Sequence, residues 1–287
     1  MQRSAAQERQ RKKNTVLILI AMLLLAAILC LYVDAKESEQ EEEAKAFYDD
    51  LAARVVSDRG SGAGTPSPSD GSASNGDGTQ AQDGSDGSAE GMEITGAGKK
   101  AKSAVDFDQL QAQNGDVVAW IVSEGTAINY PVVHGSDNKY YLTHSFDRTS
   151  RKQGAIFVDA RNSPGFADAN TLLYGHHMRS GAMFASIVEY KKQGYYDEHP
   201  TMLLYTPEQD YRIDLFAGYV MDLSEEDFVR RFSSDDAATA YLDKIRRRST
   251  FDCNVHVSTG DRIVTLITCS YEYNNGRYAL VGKLVPV

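Results

Sequence analysis

Hydrophobic and polar positions follow three different patterns along this chain. The first pattern is an apolar run from Thr15 to Val33 that contains no charged residue. A run of this length is what a helix needs to cross the hydrocarbon core of a bilayer. Basic residues precede the run and the acidic stretch DAKESEQEEE follows it. Because Lys and Arg mark the cytoplasmic side, the sequence predicts a single-pass anchor at 15–33, a cytoplasmic tail at 1–14 and an extracellular remainder.

A cleavable signal peptide is the alternative interpretation of this run. Val33, Asp34 and Ala35 loosely resemble a small-x-small cleavage site. The apolar run is longer than the roughly 7–15 residues usual for a signal peptide. The uncleaved anchor is therefore the preferred prediction.

The second pattern is polar and has two parts. Residues 34–58 are acidic with apolar residues near helical spacing, and we interpret them as a juxtamembrane stalk without a packing partner. Residues 59–102 are rich in Gly, Ser and Asp and contain almost no large apolar side chain. Such a composition buries too little surface to fold, so it predicts a disordered linker that lets the following domain move freely above the membrane.

The third pattern, over residues 103–287, is a series of short runs rich in Val, Ile, Tyr and Leu, separated by turn residues. Runs of this kind predict strands. The eight runs are DVVAWIVS, INYPVV, GAIFVDA, NTLLYG, TMLLYT, YRIDLFAGYV, DRIVTLITC and YALVGKLVPV. The sequence therefore predicts one mostly-β domain of seven or eight strands, closed as a barrel or packed as a sandwich.

Helical patterns interrupt the strands at three places: Phe107–Asn114, Gly181–Gln193 and Ser224–Arg248. The last is the longest. Ser224 is its candidate N-cap, acidic residues occupy its first turn and three arginines stand at its end, as the helix dipole favours.

Net charge narrows the possible partners. The chain has 30 Lys and Arg against 40 Asp and Glu, which gives a net charge of -10 at pH 7. Binding of a polyanion needs a basic surface, so this balance argues against nucleic acid as a partner.

The cysteines allow two interpretations. Cys30 lies in the apolar run, whereas Cys253 and Cys269 lie in the folded part and predict an extracellular disulfide. Alternatively Cys269, at the end of an apolar strand, is a nucleophile. Cysteine attack on an acyl carbon needs a thiolate, an acid for the leaving amine and a stabiliser for the oxyanion. His176 and Arg277 have the chemistry for the last two tasks.

The motif TLITC, with an arginine eight residues after its cysteine and YGHH upstream, resembles the sortase transpeptidases, and class B in particular. The stretches DVVAWIVSEGTAINYPVVHGSDNKYYLTHSF and GAIFVDARN resemble the same class, and the likeness covers residues 105–287. It implies a closed sortase β-barrel of about eight strands, with an N-terminal helix and a long helix before the cysteine-bearing strand.

The resemblance also implies roles. Cys269 would be the nucleophile, His176 the acid/base and Arg277 the group that stabilises the oxyanion or substrate. Such enzymes cleave a sorting signal of a secreted protein after its threonine and hold the product as a thioester. They then transfer it to an amine of the peptidoglycan precursor or to a pilin lysine. No metal or organic cofactor is expected, and cell-wall anchoring and pilus assembly both stay open.

The resemblance points to five candidate substrate-binding residues: Asn138, Leu142, Ile267, Thr268 and Ser270. Asn138 and Leu142 are equally interpretable as a turn former and a core residue. Ile267 stands where class B members commonly have serine, which leaves the sorting motif open. The backbone N–H of Ser270 is a candidate second oxyanion donor.

Two alternatives remain beside this hypothesis. A secreted cysteine peptidase or peptidoglycan hydrolase would also use Cys and His, but papain-like chains place the cysteine first, whereas here His176 precedes Cys269. A non-enzymatic, membrane-tethered binding module would instead contain a Cys253–Cys269 disulfide.

Overall fold

The computed structural model of the chain describes residues 2–56, 103–222, 229–269 and 276–287, and the side chains of 13–56, 103–221, 229–268 and 276–287 among them. The linker predicted at 59–102 lies outside the described residues. Residues 1–57 and 103–287 belong to one compact unit.

Eight strands form a closed β-barrel. The apolar runs predicted seven or eight strands in a barrel or a sandwich, and the family resemblance implied the closed barrel. Their order around the barrel is β1-β2-β3-β4-β7-β8-β6-β5, and β5 pairs with β1 to close it. Two neighbouring pairs, β2/β3 and β4/β7, are parallel. The strands are β1 Val117–Val122, β2 Asn129–Val133, β3 Ile156–Val158, β4 Asn170–Tyr174, β5 Thr201–Tyr205, β6 Tyr211–Asp222, β7 Ile263–Cys269 and β8 Gly276–Pro286.

Strand alternation divides the core into two layers, as β8 shows. Tyr278 and Leu280 belong to the main cluster inside the barrel. Ala279, between them, belongs to a second cluster that packs against the helix α4, Asp235–Arg248. Because successive side chains of a strand point to opposite faces, one strand serves both layers.

Helix α4 is the predicted long helix, but it begins later than the sequence suggested. Ser224 lies outside the described residues, and the helix starts after Ser234, whose side chain accepts a hydrogen bond from Ala237 N at 3.2 Å. The preceding backbone is held against β4 instead, because Asn170 donates to the carbonyls of Val229 (2.9 Å) and Arg230 (3.1 Å). These bonds replace the intrahelical bonds that a helix from 224 would make there.

The other predicted helices fare differently. Helix α2, Phe107–Gln113, forms as predicted. The predicted helix over 181–193 is instead a 3₁₀ helix, η2 Ala185–Lys191, followed by α3, Gln193–Glu198. A positive φ at Gly181 and at Met183 (58°) keeps the first residues out of a right-handed helix. A further 3₁₀ helix, η1 Tyr140–Leu142, lies between β2 and β3.

Helix α1, Gln2–Val55, contains both the apolar run and the acidic stretch after it. Its part from Lys13 is long and apolar enough to cross a membrane, by length and composition. The large apolar side chains from Val16 to Val33 are 48–71% exposed.

The last turns of α1 pack onto the barrel, contrary to the predicted stalk without a partner. Tyr48, Leu51 and Val55 are at most 3% exposed and belong to the main core cluster. They recur at helical spacing, so one face of the helix buries its apolar surface. Val56 then pairs with Val105 in an antiparallel bridge. The described residues on either side of 57–102 therefore meet at one place in the fold.

Candidate active site

A groove of about 440 Å³ lies at one end of strands β4 and β7. Its walls come from the β2–β3 connection, β3, β4, β7 and β8. All six predicted site residues whose side chains are described line it. The lining residues are Asn138, Leu142, Phe157, Tyr174, Gly175, His176, Ile267, Thr268 and Arg277.

Strand register brings the three predicted catalytic positions to neighbouring strands. In the parallel β4/β7 pair, Tyr174 lies opposite Ile267. His176 follows Tyr174 by two residues, and Cys269 follows Ile267 by two residues. In the antiparallel β7/β8 pair, Cys269 lies opposite Arg277. Because paired strands are about 4.8 Å apart, this register gathers three distant parts of the sequence in one place.

Two hydrogen bonds fix the backbone just before His176. Gly175 N donates to Ile267 O at 3.1 Å, and Thr268 Oγ1 donates to Gly175 O at 2.8 Å. A Cβ at position 175 would lie 2.5 Å from an Ile156 side-chain atom and 2.6 Å from Phe184. Glycine at position 175 therefore lets the backbone just before His176 approach Ile156 and Phe184 closely.

The imidazole of His176 is anchored by the opposite wall of the groove. Its Nε2 lies 2.8 Å from the carbonyl oxygen of Leu142. A carbonyl oxygen only accepts, so Nε2 carries a proton in this contact, and proton exchange with a reacting group falls to Nδ1. The side chain of Leu142 is 39% exposed, which excludes the interpretation of this leucine as a core residue.

Asn138 and Arg277 line the groove from the β2–β3 connection and from β8. Asn138 Oδ1 accepts a hydrogen bond from Ala160 N at 2.7 Å, so the side chain fixes the loop and lines the groove at once. Arg277 is half-buried, and its Nη1 donates to Gly276 O at 3.0 Å.

Tyr174 contributes a wall that the sequence interpretation missed. Its hydroxyl donates to Asp159 Oδ2 at 3.0 Å, and Arg161 contacts both oxygens of that carboxylate at 2.8 Å. Burial opposes ionisation of Asp159, but the hydrogen bonds from Arg161 and Tyr174 outweigh it and lower its pKa to about 2. Burial, and then the Asp159 charge, raise the pKa of Tyr174. The phenol thus stays a donor, and its ring is held at the groove.

The chain that forms this groove matches a known protein family. The sequence pattern of the Sortase domain matches residues 121–285, more than half of the chain. The chain belongs to the sortase family. It is 37% identical over 178 residues to Sortase B of Listeria monocytogenes (61% of this chain, 72% of the relative). It is 35% identical over 184 residues to Sortase B of Staphylococcus aureus (63% and 75%).

Solved structures place this sortase with class B as well. A Staphylococcus aureus sortase B–substrate complex matches with a TM-score of 0.61 and 34% identity, over 63% of this chain and 85% of that one. Clostridium perfringens sortase B matches with a TM-score of 0.60 and 33% identity, over 63% and 100%. The class B-like barrel implied by the sequence motifs is thereby confirmed.

The cysteines of this sortase do not support the alternative disulfide. Cys253 has a free thiol, which lies 3.4 Å from the carbonyl oxygen of Phe216. Cys269 ends β7, while its side chain and Ser270 lie outside the described residues. The binding-module hypothesis thus loses the disulfide on which it was based.

Sequence reasoning missed Phe157, Tyr174 and Gly175 as lining residues because each lies in or beside a run that was interpreted only as a strand. For Tyr174 and Gly175, the signal that could have identified them is their position in the sequence. Tyr174 and Gly175 directly precede His176, and the end of a barrel strand is where a site residue is most easily presented.

Proposed function

We propose that this sortase is a membrane-anchored cysteine transpeptidase, with Cys269 as nucleophile, His176 as acid/base and Arg277 as oxyanion stabiliser. The observation that supports this assignment is the strand register: Cys269 lies opposite Arg277, and β4 ends beside β7, two residues before His176. Positions two apart on a strand share a face, so position 269 of β7 shares the face of position 267, and Ile267 lines the groove.

The first half-reaction breaks the peptide bond after the threonine of a sorting signal. The Cys269 thiolate attacks the carbonyl carbon, and Arg277 supplies positive charge where the oxyanion develops. His176 gives a proton from Nδ1 to the leaving amine as the C–N bond breaks. The product is a thioester on Cys269 and a free amino terminus on the released peptide.

In the second half-reaction an acceptor amine attacks the thioester. The amine loses a proton to His176, the C–S bond breaks and a new amide forms, which regenerates the thiolate and the imidazolium. Acceptors of this chemistry are an amine of the peptidoglycan precursor or a lysine of a pilin. Leu142, Phe157 and Ile267 make one stretch of the groove apolar, which suits aliphatic side chains of an extended peptide.

The apolar part of α1 supports a place at the cell membrane. Its exposed side chains from Val16 to Val33 form an apolar surface that a bilayer would cover. The charge asymmetry around the run favours a cytoplasmic N-terminus and an extracellular barrel. Sorting-signal proteins still tethered to the same membrane would then reach the groove.

Intact mass spectrometry of the full chain in detergent micelles tests this function. The protein would be mixed with peptides carrying an Asn-Pro-x-Thr or a Leu-Pro-x-Thr core, with triglycine, with a lysine peptide or with no amine. We expect an acyl adduct in the wild type and in Cys253→Ala, but none in Cys269→Ala. Transfer to triglycine favours cell-wall anchoring, and transfer to lysine favours pilus assembly. An adduct that persists in Cys269→Ala would overturn the assignment.

A further inference from the structure

The packed end of α1 reaches both supports of His176 through one side chain, Tyr48. Tyr48 is 3% exposed and sits edge-on to Tyr130, with ring centroids 5.1 Å apart. Its hydroxyl lies 3.4 Å from Phe146 N, from which it accepts, and 3.4 Å from Gly154 O, to which it donates. One residue of α1 therefore contacts two points of the β2–β3 connection and one tyrosine of β2.

The β2–β3 connection is the first support. Ala155 N donates to Tyr141 O at 2.9 Å. The residue after Gly154 is therefore hydrogen-bonded to the residue before Leu142. Tyr141 is fixed at its other end by Asn114, whose side chain donates both to the Tyr141 hydroxyl (2.8 Å) and to Phe146 O (2.6 Å). The Leu142 carbonyl, which accepts the hydrogen bond from His176 Nε2, thus belongs to a connection that Tyr48 contacts at two points.

The loop after β4 is the second support. Phe184 N donates to His176 O at 3.0 Å, and His177 pairs with Met183 in an antiparallel bridge. Met183 has a left-handed backbone, with φ of 58°, and its N–H donates to the hydroxyl of Tyr130 at 3.1 Å. The hydroxyl of Tyr130 therefore holds Met183, which pairs with His177 at the end of the loop that contains His176.

We propose that Tyr48 and Tyr130 are positioning residues for His176, so that the juxtamembrane end of α1 is part of the machinery that orients the catalytic imidazole. Tyr130 acts on the loop backbone through Met183. Tyr48 acts by packing on Tyr130 and by hydrogen-bonding to the β2–β3 connection, which contains the Leu142 carbonyl. This inference rests on the proposed role of His176, and it adds a function for a segment that precedes the matched sortase domain.

Two readouts separate positioning from general stabilisation. One is the split between kcat and KM for acyl-adduct formation with the productive peptide. The other needs no substrate: the rate of alkylation of Cys269 by iodoacetamide as a function of pH, followed on the peptide that contains Cys269. The ionisation of a thiol depends on the groups beside it, so displacement of the imidazole should change that profile.

The variants are Tyr48→Ala, Tyr48→Phe and Tyr130→Phe in the full chain in micelles. Val55→Ala is the matched control, because Val55 is also buried on α1 but its carbonyl accepts from Asp106 N, next to the Val56–Val105 bridge. All variants are assayed well below their melting temperatures. Because a small displacement of a catalytic group is costly, we expect Tyr48→Ala to lower kcat about tenfold or more with little change in KM. The pH profile of Cys269 alkylation should differ from that of the wild type.

Tyr130→Phe removes the acceptor of the Met183 N–H and should reproduce most of that loss. Tyr48→Phe keeps the ring contact and should fall between wild type and Tyr48→Ala. The proposal is overturned if Tyr48→Ala and Val55→Ala lose activity equally at equal loss of melting temperature, or if the alkylation profile of Tyr48→Ala matches the wild type. If the wild type forms no adduct with any peptide, the proposed reaction fails instead, and the alkylation profiles still decide the positioning role.

Discussion

Val56 and Val105 pair in an antiparallel bridge, although the whole segment 57–104 separates them in the sequence. Asp106 N also donates to Val55 O at 2.9 Å beside this bridge. The described residues that flank 57–102 therefore meet at one point of the fold. The packing of Tyr48, Leu51 and Val55 attaches α1 to the barrel.

Replacing residues 58–102 by a short Gly/Ser turn should leave the sortase folded and active. Shortening a loop reduces its closure entropy slowly, so we expect a gain in unfolding free energy of about 1–2 kcal/mol. Differential scanning calorimetry measures this gain. A chain that begins at Ser103 is the contrasting variant, since it lacks the buried end of α1 and should melt at a lower temperature. Loss of folding in the first variant, or equal stability of the second, would contradict the packing described above.

Gly154→Ala should lower both stability and turnover. Gly154 has φ of 59°, and a Cβ there would lie 2.3 Å from Tyr141 O and 2.8 Å from Leu142 O. The strain should cost about 2 kcal/mol or more and shift the carbonyl that receives His176 Nε2. Gly165→Ala is the matched control, because nothing lies within 4 Å of a Cβ at that position. Chemical denaturation and kcat measure the two effects; an unchanged kcat in Gly154→Ala would argue against the role of the Leu142 carbonyl.

Asp159→Asn should destabilise the protein in a pH-dependent way. Hydrogen bonds from Arg161 and Tyr174 lower the folded-state pKa of Asp159 to about 2, from an ordinary value of 3.8. A lowered folded-state pKa means that the stabilisation is fully present above pH 4 and is lost as pH falls toward 2. Because the Arg161 side chain is 61% exposed, we expect only about 1 kcal/mol at neutral pH.

Urea denaturation of wild type and Asp159→Asn between pH 7 and pH 2.5 measures this difference. The gap in unfolding free energy should shrink as the pH falls below 4. Asp243→Asn, at an exposed position of α4, is the control and should show no comparable gap. A gap that stays constant with pH would mean that packing, rather than ionisation of Asp159, sets the cost of the substitution.

Arg277→Lys should retain part of the activity that Arg277→Ala loses. Removal of an oxyanion stabiliser typically lowers kcat by about 10²–10³-fold. Lysine keeps the charge but lacks the planar fork of donors, so its loss should be smaller but clear. The rate of acyl-adduct formation on Cys269 measures both. Arg212→Lys on β6 controls for an exposed arginine in the barrel wall. Equal rates for wild type and Arg277→Ala would remove Arg277 from the mechanism.

The amino-acid sequence by itself determined the strands of this sortase and named the candidate catalytic residues. The eight strands could be predicted because apolar runs and turn residues alternate along the chain, and this pattern is local. His176, Cys269 and Arg277 could be named because their motifs are local and specific. Their roles stay predictions, although the β4/β7 register and the family relationship now support them.

Only the tertiary structure decided where the acidic end of α1 lies and what holds His176. Locally, residues 34–58 have the charge of a solvated stalk, and nothing within them reveals a partner. Tyr48 finds its partners at Tyr130, Phe146 and Gly154, which are far away in sequence and meet only once the barrel has closed. Burial is decided by the whole set of apolar surfaces that come together, so a local pattern predicts that a helix forms but not what it packs against.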